Sequence, residues 1–195
     1  MTIRPLTPAD APLLDEILDG MSPTSRYRRF HGAKPRLTSA DRRYLAGTDG
    51  RDHLGLLAFA DDGQPIAVAR AVRLHDDPRA AEIAVSVVDA HHRQGIGMRL
   101  IRRLAREAQA VGIDRLVGVV LSDNWLSAML ERKGFEVRHR PGLTNVLELD
   151  LRRSALLVQR PVELVRPRAR QLGDHARRHA RLRAAVDQPA YGGQG

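Results

Sequence analysis

No cysteine occurs anywhere in the 195 residues. Disulfides, thiolate metal sites and a cysteine nucleophile are thereby excluded. Lysine is almost absent as well: Lys34 and Lys133 are the only two, so arginine carries the positive charge. No apolar run reaches the roughly 18 residues that a membrane-spanning helix requires. The opening Met1-Thr2-Ile3-Arg4-Pro5 lacks the apolar core of a signal peptide, and a cytoplasmic protein is expected. There is no internal repeat. What is present is ordinary for a soluble globular chain: 43% hydrophobic residues and enough length to bury a core in one domain without covalent staples.

A net charge of +9 points at first to nucleic acid. Its distribution points elsewhere. Residues 1–151 hold 22 basic and 20 acidic side chains, whereas residues 152–195 hold 10 Arg against Glu163, Asp174 and Asp187. The excess therefore sits in the last stretch. This divides the chain into a nearly neutral domain, 1–151, and a basic, flexible or partly helical tail, 152–195, with a possible helix near Arg170 to Val186. The tail has no interleaved aromatics and no DNA-reading motif. Nucleic acid is not expected as the main partner, although the tail can add non-specific affinity.

Along the chain, Ile3 to Leu6 reads as a strand. Thr7-Pro8-Ala9-Asp10 starts a helix with Leu13, Leu14, Ile17 and Leu18 on one face, ended by Gly20. Ser22-Pro23 starts a second helix. On it Tyr27 and Phe30 are expected in the core, and Arg26, Arg28 and Arg29 on a solvated face, with binding of an acidic substrate as their secondary role. Ser39-Ala40-Asp41 caps a third. Strands follow at His53–Phe59, Ile66–Leu74 and Ala81–Val88, separated by turn signals at Asp61-Asp62-Gly63-Gln64 and His75-Asp76-Asp77-Pro78. Met98, Ile101, Leu104, Ala105 and Ala108 then recur at helical spacing up to Gly112. Arg115–Leu121 is an apolar strand, Trp125–Lys133 a helix, and Phe135–His139 with Thr144–Leu151 a final strand pair. The expected fold is mixed α/β: a mostly antiparallel meander of about seven strands flanked by helices.

The chemistry concentrates after the strand ending at Val88. Asp89-Ala90-His91-His92-Arg93 is a loop, and Gln94-Gly95-Ile96-Gly97-Met98 opens the long helix. The first amides of a helix lack internal partners, and the helix dipole adds positive charge there, so phosphates bind. Gly95 and Gly97 would let a pyrophosphate approach the backbone. A third glycine at Leu100 would be needed for a dinucleotide fingerprint, which argues against a Rossmann site.

Val87 through Ile101 resembles the acetyl-CoA signature of GNAT acetyltransferases, Gln/Arg-x-x-Gly-x-Gly/Ala after a strand. His92 stands where the pattern has Gln or Arg. The resemblance implies that the amides of Arg93, Gln94, Gly95, Ile96, Gly97, Met98 and Arg99 cradle the pyrophosphate of acetyl-CoA, with His92, at the signature's first position, a further cofactor-binding residue. It implies that Val87 and Val88 pair with the pantetheine arm. Leu126 to Phe135, with Gly134-Phe135, is similar to the family's later helix, where Asn124 is the expected cofactor contact. Ser22 to Gly32 and Ala81 to Val85 are similar to bacterial Pat-type protein lysine acetyltransferases. The expected partner is an acceptor amine, on a protein lysine or a small molecule. A chain that binds acetyl-CoA as a sensor, with little turnover, is the alternative.

Glu82 is the candidate general base. Ile83, Val85 and Val87 alternate with Glu82, Ala84 and Ser86, which leaves a carboxylate beside two small residues. Acetyl transfer needs a neutral amine, and a carboxylate can remove its proton; partial burial of Glu82 would raise its basicity. Pat-type enzymes resemble this arrangement in placing a Glu base there. The family's late-helix Tyr, the thiolate acid, corresponds to Leu130, so no general acid is assigned. His91 and His92 have no further ligands at metal-binding spacing. Ser86, Ser122 and Ser127 lack the context of a nucleophile.

Overall fold

The computed structural model describes residues 1–121, 126–133, 135–139 and 144–153. The strands are β1 Thr2–Pro5, β2 His53–Phe59, β3 Pro65–Arg73, β4 Ala80–Val87, β5 Arg115–Leu121, β6 Glu136–His139 and β7 Thr144–Asp150. The helices are α1 Ala11–Asp19, α2 Pro23–Phe30, α3 Ser39–Ala46, α4 Ile96–Ala110 and α5 Leu126–Glu131. One seven-stranded sheet runs β1-β2-β3-β4-β5-β7-β6. Neighbours are antiparallel except β4 and β5, which are parallel and joined through α4.

The expected mostly antiparallel sheet of seven strands flanked by helices is present, and its order is sequential except at the last two strands. β7 lies between β5 and β6, because Thr144–Asp150 pairs with the whole of β5 on one side and with β6 on the other. Hydrophobic periodicity reports which residues are inside a sheet, not which strands are neighbours.

Side-chain alternation divides the core in two. On one face, Leu54, Leu56 and Ala58 of β2, Ala67, Ala69 and Ala71 of β3, and Ala81 of β4 meet Ile96, Leu100, Ile101, Leu104, Ala105 and Ala108 of α4. The β3 alanines let α4 lie close to the sheet. Leu100 and Leu104 are wholly buried, each contributing about 1.5–3 kcal/mol of burial. On the other face, Leu6, Leu14, Ile17, Leu18, Met21, Leu37, Ala46 and Leu57 form a second cluster under α1 and α3.

Local rules explain the helix starts. Ser22 caps α2 by accepting from the Ser25 N–H at 3.2 Å. α3 is capped one residue earlier than its sequence suggests. The Thr38 hydroxyl accepts from the Asp41 N–H at 3.1 Å while Asp41 accepts from the Thr38 N–H at 2.7 Å, a reciprocal capping box. Asp10 anchors the chain before α1. Arg4 donates to both its carboxylate oxygens, at 2.7 and 2.8 Å, and the Thr7 N–H and hydroxyl add two bonds.

α2 differs from expectation. Tyr27 is 49% exposed, and Arg29 rather than Tyr27 shares the inward side with Phe30. Arg26 is turned in as well, donating to the Met21 and Pro35 carbonyls at 2.9 and 2.7 Å. On a helix of eight residues the inner stripe is Arg26, Arg29 and Phe30. Long arginine stems reach over apolar surface while their heads find polar partners, so a positive charge does not by itself mark an outer face.

Candidate functional site

β4 pairs with β3 along Ala81–Val87 but with β5 only over Ala80–Glu82. Beyond Glu82 the two central strands part, among the described residues. The direction of each peptide group follows from the ladder. The Val88 N–H donates to the Ile66 carbonyl of the β3 side at 2.9 Å. Alternation therefore turns the peptide groups of Val85 and Val87 away from β3, toward the opening. The sheet thus has a free polar edge in its middle.

The opening leads to the start of α4. Asp89–His91 forms a 3-10 turn, Arg93 has φ 60°, and Gly95 caps α4 with φ 76°. Left-handed Gly95 followed by helical Ile96 curls successive N–H groups into an anion-binding concavity. The two glycines serve different purposes. A Cβ on Gly95 meets nothing within 4 Å, so its glycine answers to the positive φ. A Cβ on Gly97 would lie 3.8 Å from Val85 Cγ1 and 3.9 Å from Val87 Cγ2. Glycine there keeps the helix start close to β4, and an alanine would fit at ordinary contact.

His92, Arg93, Gln94 and Gly95 are exposed, Ile96 is buried, and Gly97 and Met98 are half-buried. The His92 ring folds back, its Nε2 2.9 Å from the Val87 carbonyl, as donor. It lies 3.5 Å from Asp89 Oδ1. The departure from Gln or Arg at this position thus supplies a bond that stiffens the loop. Val88 is engaged at both backbone groups, its carbonyl accepting from the His91 N–H at 2.9 Å. Of the two expected pantetheine contacts, Val87 keeps an N–H toward the opening, and the Val88 N–H faces β3. Asn124 lies outside the described residues, as do Gly134 and the chain beyond Arg153. Leu130 is 3% exposed and packs in the larger core cluster, so the position matching the family's Tyr is a core position.

Asp89 connects this loop to α2, a link the sequence reading missed. Its N–H donates to the Gly20 carbonyl at 3.0 Å. Burial pushes its carboxyl up, but the Ser22 and Ser25 hydroxyls, the Ser22 N–H and the His92 charge outweigh burial and hold it below the usual range. Gly20 touches the same place: a Cβ there would sit 2.6 and 2.9 Å from the two Val88 methyls.

Glu82 sits where β4 and β5 part, on the face away from α4, between Val72 of β3 and Val117 of β5. It is exposed. Around it stand Arg29, His31 and Arg70, each of which feels its charge. Arg70 is 7% exposed.

The profile of the acetyltransferase (GNAT) family matches residues 16–135. The chain belongs to this family. GNAT members of known sequence and structure include several relatives of this chain. It is 33% identical over 137 residues to an acetyltransferase Pat of Mycolicibacterium smegmatis, covering 68% of this chain. The match spans only 40% of that relative's length. The crystal structure of the GNAT domain of S. lividans Pat superposes with a TM-score of 0.71 at 29% identity, over 76% of this chain and 89% of that one. The fold is also that of yncA of Salmonella typhimurium, solved with its cofactor acetyl-CoA, at TM-score 0.59 and 22% identity over 79% of this chain and 95% of that one. A GNAT domain with parted central strands is what the sheet register describes. No helix among the described residues is long and apolar enough to cross a membrane.

Proposed function

We propose that this GNAT chain transfers the acetyl group of acetyl-CoA to a primary amine, with Glu82 as the general base. The observation that carries the reading is the position of Glu82. It is the last β4 residue paired with β5, so the carboxylate marks one end of the opening, and the amides from Arg93 to Arg99 mark the other. Extended β4 between Glu82 and Val87 covers about 17 Å, room for an elongated acyl carrier lying along the free edge. Acetyl-CoA supplies the activated thioester. The chain's own residues hold and aim: the α4 amides take the pyrophosphate, and the Val85 and Val87 edge takes the amide-bearing arm. Glu82 accepts the ammonium proton, directly or through water, so that the nitrogen lone pair is available. The similarity to Pat acetyltransferases over β4 and α2 supports a protein lysine as the acceptor.

The test is a pH–rate profile. Glu82→Gln keeps size and hydrogen bonding and removes the proton acceptor. It should retain acetyl-CoA binding, slow transfer on the order of a hundredfold, and recover at high pH, where the amine is already neutral. Equal rates for both proteins across the pH range would remove Glu82 from the reaction.

A further inference from the structure

Beneath α2, on the face of the sheet that carries Glu82, lies a recess lined by Arg29, Arg70 and Ser86 together with apolar side chains that include Leu14, Met21 and Phe30. Among the described residues, no carboxylate lines it. Arg70 projects from β3 between Val68 and Val72, and its backbone partner on β4 is Ala84. Its guanidinium lies over the Tyr44 ring at 5.0 Å. Nη1 is 3.3 Å from His53 Nε2 and makes long contacts, 3.4 and 3.5 Å, to the Tyr44 and Leu45 carbonyls. The Tyr44 side chain is a further hydrogen-bond partner of this guanidinium. Arg29 comes down from α2, stacks on Phe30 at 5.0 Å, and makes no hydrogen bond among the described residues. Ser86, 7% exposed, adds a hydroxyl to the same recess.

Two guanidiniums thus share one recess. Burial first, and then the Arg70 charge, draw Arg29 down to about 10, while Glu82 opposes both. Both arginines remain charged at neutral pH. Glu82 is the one carboxylate of the described residues that acts on them, so two positive charges face one negative charge. Holding the end of α3 accounts for Nη1 of Arg70. It does not account for Arg29, for which no hydrogen bond is present among the described residues. Planar guanidinium groups with open N–H pairs match a carboxylate in bidentate fashion.

We infer that Arg29, Arg70 and Ser86 form an acceptor subsite for a carboxylate, so that the preferred amine is one with a carboxylate a short distance from its nitrogen. The inference rests on Glu82 marking the acceptor nitrogen. Ala84, the partner of Arg70, is two residues from Glu82 on the same face, about 7 Å along the strand. That spacing suits an amine and a carboxylate separated by four or five bonds. A γ- or δ-amino acid meets this description, and a lysine beside an acidic residue in a protein presents the same distance through space.

Glutarate tests the subsite apart from any transfer, because it has no amine. In calorimetric titrations at saturating acetyl-CoA, the full chain should bind glutarate at least about tenfold more tightly than the diamide, the scale of hydrogen bonds to a charged group. Arg29→Gln, on a half-exposed helix position, should erase that preference while the acetyl-CoA-induced rise in melting temperature persists. Arg70→Lys serves as a second variant that keeps charge and loses the fork, and it should weaken glutarate binding too. Equal affinity for glutarate and diamide, or an unaltered preference in Arg29→Gln, overturns the subsite. Thiol release then separates the sources. 5-Aminovalerate against its amide reports a small acceptor, and lysine peptides with a Glu or a Gln neighbour report a protein; a preference for the acid in either pair supports the subsite. Glutarate binding with no thiol release from any acceptor would leave the subsite standing and defeat the transferase reading instead.

Discussion

Gly20→Ala should destabilise the protein through one contact, and Val88→Ala should repair it. Gly20 has φ −76°, which any residue tolerates, so backbone strain does not explain its glycine. The contact does. An added Cβ would lie 2.6 Å from Val88 Cγ1, 2.9 Å from Cγ2 and 3.3 Å from Cβ. Because Val88 branches at Cβ, no rotamer takes both methyls away. The backbone must move instead, and it is tied there by the Asp89 N–H to Gly20 carbonyl bond of 3.0 Å. Overpacking of this kind costs about 1–3 kcal/mol, or roughly 2–12 °C in melting temperature for a chain of this size. Val88→Ala alone removes two methyls from the smaller core cluster and should cost about 1 kcal/mol. With both changes the two contacts under 3 Å disappear and only the 3.3 Å approach to the residue 88 Cβ remains, which a shift of a few tenths of an ångström relieves, so the double variant should be about 1 kcal/mol below wild type instead of about 3. Urea denaturation of the four proteins gives the coupling energy, expected near −2 kcal/mol. Acetyl-CoA affinity should follow the same pattern, weakened in Gly20→Ala and restored in the double variant, because Val88 leads into the loop before α4. Additive losses would refute the steric account.

Gly97→Ala should preserve the acetyl-CoA-induced rise in melting temperature, since its Cβ would stand at ordinary contact with Val85 and Val87. Gly97→Leu should abolish it by levering the helix start off β4. Asp10 carries a pH dependence: the Arg4 guanidinium holds its carboxyl at about 2, against an ordinary value of 3.8. A lowered folded-state pKa gives stability that is complete above the ordinary value and vanishes as pH falls through about 2. After discounting for the 41% exposure of the Arg4 side chain, Asp10→Asn should cost about 1–2 kcal/mol at pH 7. Chemical denaturation from pH 7 to 2 should show the gap to wild type closing only below pH 4.

The elements of this fold were legible in the sequence because each carries its own period and punctuation. Met98 to Ala108 and Ile83 to Val87 leave little choice, and the Gly95–Gly97 turn marks the strand-to-helix junction where phosphate is expected. Strand order was not legible, since the insertion of Thr144–Asp150 beside β5 depends on long-range pairing that no local pattern encodes. The acceptor face was read only in part. Glu82 is visible in the alternation of β4, but its neighbours come from β3 and α2, far away in sequence. One signal was there to find: Arg70 interrupts the apolar face that Val68 and Val72 define, as an arginine on a strand with helices over both faces must do for a reason. Gly20 had no such signal. Its role depends on Val88, which arrives across the fold.

The parting of β4 and β5 has a consequence for handling the protein. Most sheets keep their unsatisfied backbone at the rim, where charged side chains or short strands discourage intruders. Here, among the described residues, the Val85 peptide group and the Val87 N–H face the opening inside the sheet, and the Val87 carbonyl is taken by the His92 ring. On the proposed function, an acyl carrier seated along that edge would act as a surrogate strand. Without it, the same groups are open to an extended segment of a neighbouring molecule. Ligand-free protein at high concentration is therefore the form prone to self-association, and acetyl-CoA in the storage buffer should suppress it at concentrations that track its affinity for the site.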